Sequence, residues 1–174
     1  MVKDWKNVSS KTQDYSVSND SLYRMFLNKH YAQASVAFCR AGQNGKAAIC
    51  DAYLLREKAL STPTTASVAR TKAFITAAKA FITCAQDTTS KQANECLTYY
   101  GTAGGCYLKA HDLKNAGDSY QMAKQHTIAA RIYQEGGYFD ELVEVITQHK
   151  NVLDSGLLEH LTKAAQMYYF KVYF

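Results

Sequence analysis

Ala103-Gly-Gly-Cys-Tyr107-Leu-Lys-Ala110, Ala116-Gly-Asp-Ser-Tyr120-Gln-Met-Ala123 and Ala129-Ala-Arg-Ile-Tyr133-Gln-Glu-Gly136 are one pattern written three times at a spacing of 13 residues. Each copy has a small residue, an aromatic four positions on, and a small residue three further on. Positions i, i+4 and i+7 lie on one face of an α-helix, so each copy predicts a helix of about ten residues with a narrow buried stripe. About three residues then remain for a turn, and polar residues or glycine stand where the turns are due: His111-Asp112, Lys124-Gln-His126 and Gly136-Gly137. A weaker fourth copy continues the phase through Leu142, Ile146 and His149. Small residues let helix axes approach, and the tyrosine between them fills the groove. A single pair of such helices cannot bury its own apolar face, so pairs must stack. The fold class that follows is all-α, a right-handed α-solenoid of stacked antiparallel helix pairs.

Composition agrees. One proline and nine glycines in 174 residues leave few enforced helix stops, and 47% of the residues are hydrophobic. The chain is long enough for one domain with its own core. We assign residues 20–174 to a single helical-repeat domain and residues 1–19 to a polar segment expected to be disordered. Five cysteines, an odd number without a C-x-x-C pair, indicate neither a disulfide framework nor a zinc ribbon, and suit a reducing compartment. The polar start carries no secretory signal, and no apolar run of about 18 residues could span a membrane. These features predict a soluble intracellular protein without a membrane partner.

The formal net charge is +5, unevenly spread. Residues 1–63 hold nine Lys/Arg against five Asp/Glu, residues 64–115 six against three, and residues 116–174 five against seven. The local excess is thus +4, +3 and −2. A basic tilt without a dense Lys/Arg block reads first as a solvated surface, and second as help for an acidic partner or a nucleic-acid backbone.

The first half carries the same theme with wider spacing. A helix over 21–30 precedes Tyr31-x-x-Ala34-x-x-x-Phe38-x-x-Ala41. Another runs over 45–60, and Pro63 breaks the chain because the residue before a proline disfavours helix. From Ala66 to Ala85 the apolar period of 3.6 lasts about five turns and predicts the longest helix. A stretch from Lys91 continues through Gly101 into the first copy, and the last helix begins at Asp154 or Ser155. The series Tyr31, Ala34, Phe38, Ala41 resembles the second helix of a tetratricopeptide unit position for position, and Ala116, Tyr120 and Ala123 resemble it again. Two 13-residue units are shorter than a full repeat of that family.

Taken in order, Tyr31-Ala-Gln-Ala34, Phe38-Cys-Arg-Ala41, Ala52-Tyr53, Ala73-Phe74 with Ala77-Ala-Lys-Ala80-Phe81, Tyr133 to Gly137 and Tyr168-Tyr-Phe170-Lys171 resemble the helical region C-terminal to the helicase core in fungal UvrD-like proteins that contain tetratricopeptide and ankyrin repeats. That resemblance implies a repeat module without the motor. Ala41-Gly42-Gln-Asn-Gly45-Lys46-Ala47 has the flavour of a phosphate loop, but its glycine spacing is short and alanine stands where Ser or Thr must hold magnesium.

Other chemistry reads as structural. The five histidines sit mainly near predicted helix ends, where a cation at a C-terminus is favoured, and none belongs to H-E-x-x-H. Cys39 or Cys106 as a nucleophile would need a histidine and an oxyanion donor from elsewhere. Gly101, Gly104 and Gly105 form no dinucleotide fingerprint. Asp140, Glu141 and Glu144 belong to a solvated face at a helix start. Nothing assembles a nucleophile, base and orienter, so no enzyme, metal or cofactor is expected.

What remains is a binding surface for a protein or peptide, with nucleic acid as the alternative. Its contact residues are expected among Tyr31, Tyr99, Tyr100, Tyr169, Phe170 and Tyr173, with Tyr15 a further candidate. The terminal aromatics from Tyr168 to Phe174 cannot all face one core, so they either cap the stack or pair it with a second copy. Ala34, Phe38, Ala41, Ala103, Tyr107, Ala110, Ala116, Tyr120, Ala123, Ala129, Tyr133 and Gly136 are assigned to packing between repeats.

Overall fold

The computed structural model describes residues 19–87 and 93–173. The polar segment of residues 1–18, with Tyr15, and the terminal Phe174 lie outside the described residues, as does the side chain of Tyr173. The described chain is all-helical: α1 (Asn19–Leu27), α2 (Tyr31–Arg40), α3 (Asn44–Ser61), α4 (Ser67–Asp87), α5 (Ala93–Lys109), α6 (Leu113–Met122), α7 (His126–Gly136), α8 (Phe139–His149) and α9 (Ser155–Tyr173). Each helix packs chiefly on the next in sequence, and α7 also reaches α9. α4 is the longest of the described helices, and α5 runs unbroken through Gly101, as the periodicity predicts.

Helices α6, α7 and α8 start at residues 113, 126 and 139, which reproduces the 13-residue phase. A left-handed residue ends the helix before each of them: His111 (φ 58), Lys124 (φ 58) and Gly137 (φ 74). The residue after it donates its N–H back five positions, Asp112 to Tyr107, Gln125 to Tyr120 and Tyr138 to Tyr133, at 2.8 to 3.0 Å. This is the Schellman closure, which satisfies carbonyls that a helix end would otherwise leave open. The aromatic of each copy is therefore also the residue whose carbonyl closes the turn.

The first half departs from its expected wider spacing at the beginning. Lys29 (φ 61) and Gly42 (φ 70) form the same joint 13 residues apart, with His30 donating to Met25 and Gln43 to Phe38. Only after residue 44 do the helices lengthen. Ala41 was assigned to packing but is exposed, because it is the C-cap residue of α2 and belongs to the joint. Of the other packing residues, Gly136 and Tyr120 are half-buried and the remainder are buried.

The small residues act as notches. A methyl group placed on Gly104 would lie 2.8 Å from the Tyr120 ring, and one on Gly117 would lie 2.3 Å from the Tyr133 ring. In both cases the ring comes from the copy that follows, 16 residues on. Three buried clusters make up the core: Leu22, Ala34, Phe38, Ala47 and Cys50 under α1–α3, a large one around Phe74, Phe81 and Tyr107, and a third around Tyr133, Leu142 and Leu161. Tyr53 joins the first to the second through ring contacts with Phe26, Tyr31 and Phe81. Tyr120 packs against both the second and the third.

Candidate functional site

Residues of α1, α3 and α5, with others from α2 and α4, surround a groove of about 600 Å³. Tyr23, Phe26 and Leu27 reach it from α1, Ile49 and Tyr53 from α3, and Thr98 and Tyr99 from α5. Cys50 and Cys84 are buried at its base. Burial, aided by Asp51, pushes the Cys50 thiol up to about 11, and burial also raises Cys84. Both stay protonated and act as small apolar side chains.

The aromatic wall is ordered by ring contacts. Tyr53 stacks on Tyr31 at 5.3 Å and 19°, meets Phe26 edge-on at 5.2 Å, and meets Phe81 edge-on at 4.9 Å. On the α1–α3 side the Lys46 ammonium sits 4.8 Å from the Tyr23 ring centre and 5.8 Å from that of Phe38. Such contacts hold a cation without a carboxylate. Asp87 and Glu95 line the other side, at the end of α4 and the start of α5, and both are exposed. Burial first, and then Glu95, raise the Tyr99 hydroxyl above its ordinary range.

The expected contact residues divide. Tyr31 and Tyr99 are each only 8% exposed, so their rings belong to the structure of the wall more than to its surface. The small neighbours along α2 and α5 that make these helices pack closely also draw the rings inward. Tyr100 is half-buried against the central core. Tyr169 and Phe170 lie far along the chain from these three and line a second, shallower groove between α8 and α9 with Val143 and Ile146. There Phe139 and Tyr168 stack at 4.2 Å, Tyr169 donates a hydrogen bond to Asp140, and Phe170 is 68% exposed.

Two arrangements escaped the sequence reading. The first ties three helices together: the Tyr133 hydroxyl donates to Asp118 at 2.6 Å, and Lys114 bridges Asp118 on α6 and Glu141 on α8, both at 2.9 Å. Burial opposes the Lys114 charge, but the hydrogen bonds it donates to Glu141 and Asp118 outweigh it and raise its pKa. Glu141, expected on a solvated face, is half-buried in this cluster. The second is a histidine pair. His126 and His149 stack with ring centres 3.5 Å apart at 16°, and the buried Nδ1 of His126 finds no hydrogen-bond partner among the described residues. His149 sits at the C-terminal end of α8 as the dipole argument requires, whereas His126 opens α7 and His160 lies inside α9. Burial, His149 and Lys124 all lower the His126 pKa.

Among the described residues no three His, Cys, Asp or Glu side chains gather in a way that could hold a metal ion, and no described helix is long and apolar enough to cross a membrane. Compared with protein-family models, curated proteins and solved structures, the chain matches none of them.

Proposed function

We propose that this chain is a non-catalytic interaction scaffold, a right-handed solenoid of tetratricopeptide-like antiparallel pairs (α1/α2, α3/α4, α5/α6, α7/α8) closed by α9, whose odd-numbered helices present a concave surface to a protein or peptide. One observation carries this reading: α1, α3 and α5, far apart in sequence, converge on a single aromatic-walled groove. A concave, mostly apolar surface with a few polar groups is the usual form of a binding site, and stacked helix pairs produce it as a consequence of their curvature. The groove's charged groups are Lys46, Asp87 and Glu95.

The test is selective loss of partners. Tyr23 and Leu27 are exposed at the mouth, so Tyr23→Glu with Leu27→Glu should block the groove while leaving the helical circular-dichroism signal intact. Proteins cross-linked to the wild-type chain in cells should disappear with this variant. An unchanged set of cross-linked proteins would refute the reading.

Nucleic acid is the second reading, and a line of exposed residues on α4 favours it: Lys72 and Lys79, two turns apart on one face. Binding there must weaken steeply with added salt, and Lys72→Glu with Lys79→Glu must reduce it. Salt-insensitive or absent binding to oligonucleotides removes this reading.

A further inference from the structure

The charges around the groove are not symmetrical. On the α1–α3 side Lys46, the cation among the described lining residues, already lies over two aromatic faces, so its charge is met by ring quadrupoles. On the α4–α5 side Asp87 and Glu95 face the same space, and both are exposed. Between the two sides the walls are apolar: Phe26, Ile49 and Tyr53. An occupant therefore gains most by burying an apolar centre between these side chains while offering positive charge to the two carboxylates. Aromatic rings close to the carboxylates add to the preference for a cation, because a ring face attracts positive charge and repels negative charge.

We propose that the groove binds a peptide segment with an apolar centre flanked by lysine or arginine, the basic flank lying against Asp87 and Glu95. The inference rests on the interaction-scaffold reading and names the chemistry of its partner. Apolar burial supplies the affinity, and the carboxylates supply the choice between partners, since charged rims govern specificity more than strength. An acidic segment is disfavoured because it would meet Asp87 and Glu95 directly and find Lys46 already held by Tyr23 and Phe38.

The experiment uses the full chain and three pools of fluorescent, acetylated and amidated octapeptides. All have a fixed Leu-Phe centre, and their flanks are drawn from Lys/Arg, from Ser/Gln or from Asp/Glu. By fluorescence anisotropy the basic pool should bind about fivefold tighter than the neutral one, the size expected of one or two solvent-accessible charge pairs, and the acidic pool weakest. Asp87→Asn with Glu95→Gln should bring the basic pool to the neutral level, and a basic pool that keeps its advantage in this variant overturns the proposal. Both positions are exposed, so folding should be unaffected. Tyr23→Ala with Leu27→Ala should weaken all three pools. Equal binding of the basic and neutral pools, or preference for the acidic one, overturns the basic-flank proposal and leaves the groove as an apolar site. Binding by none of the pools, or binding indifferent to Tyr23→Ala with Leu27→Ala, overturns the groove itself.

Discussion

Helices α6, α7 and α8 contain 10, 11 and 11 residues, whereas α3, α4 and α5 contain 18, 21 and 17. The short ones repeat a single solution. The Tyr133 ring lies in the notch left by Gly117, the joint closes on the carbonyl of the same tyrosine, and its hydroxyl ties into Asp118. The long ones are held by apolar bulk, with Phe74 and Phe81 fully buried among alanines. The groove lies where the short α1 and α2 meet the long α3, α4 and α5. Regularity closes a surface, and a mismatch of helix lengths opens one.

The contrast can be broken first in the long-helix region. Phe81→Ala removes a fully buried ring on which Tyr53 stands, and should cost about 4 kcal/mol, read as a large fall in the denaturation midpoint. It should also weaken ligand binding, because Tyr53 lines the groove. In the regular region the sharpest change is Gly117→Ala. Alanine ordinarily favours a helix, yet here its methyl would meet a ring that cannot move, so the variant should lose about 2 kcal/mol. Gly45→Ala is the matching control.

Tyr133→Phe keeps the ring in its notch and removes only the hydroxyl, leaving Asp118 with Lys114 as partner. A loss of about 1 kcal/mol in urea titration is expected, with the groove unaffected. Proton titration should act more weakly still. The folded state holds His126 below its ordinary pKa, so the unfolded chain binds more protons as pH falls. The stability it contributes is complete above the usual histidine range, near pH 6.5, and declines as pH drops below it toward the depressed folded value. The wild type should therefore lose melting temperature between pH 7 and pH 5, and His126→Gln should lose less; equal losses would exclude the histidine pair as a source. Smallest of all, Gly45→Ala in open space at the start of α3 should be neutral or stabilising by about 0.5 kcal/mol.

The repeated phrase from Ala103 to Gly136 was legible because a 13-residue helix-and-turn unit imprints both its buried stripe and its turn on the local sequence. Lys29 was not recognised as the same joint, since a lysine in the left-handed region carries no glycine signal and is held there by the closing hydrogen bonds. Tyr31 and Tyr99 read as contact residues in the sequence because a tyrosine is compatible with either a core or a surface, and the choice depends on which neighbours are small enough to admit the ring. The groove was illegible for a different reason. Its walls come from α1, α3 and α5, and periodicity within one helix says nothing about which faces of three separate helices will converge. The histidine pair shares that cause: His126 opens α7 and His149 closes α8, and the two meet only once these helices have packed together.

The recurrent joint also imposes a rule of counting. In the antiparallel stack proposed above every 13-residue unit reverses the direction of the chain, so gaining or losing one such unit would exchange inner and outer helices throughout everything that follows. Gaining or losing 26 residues would restore the original sidedness and merely lengthen or shorten the stack. A duplication placed ahead of α3 would therefore keep the groove's helices on one side of that stack only if it added an even number of units, whereas one placed after α5 would leave the groove as it is.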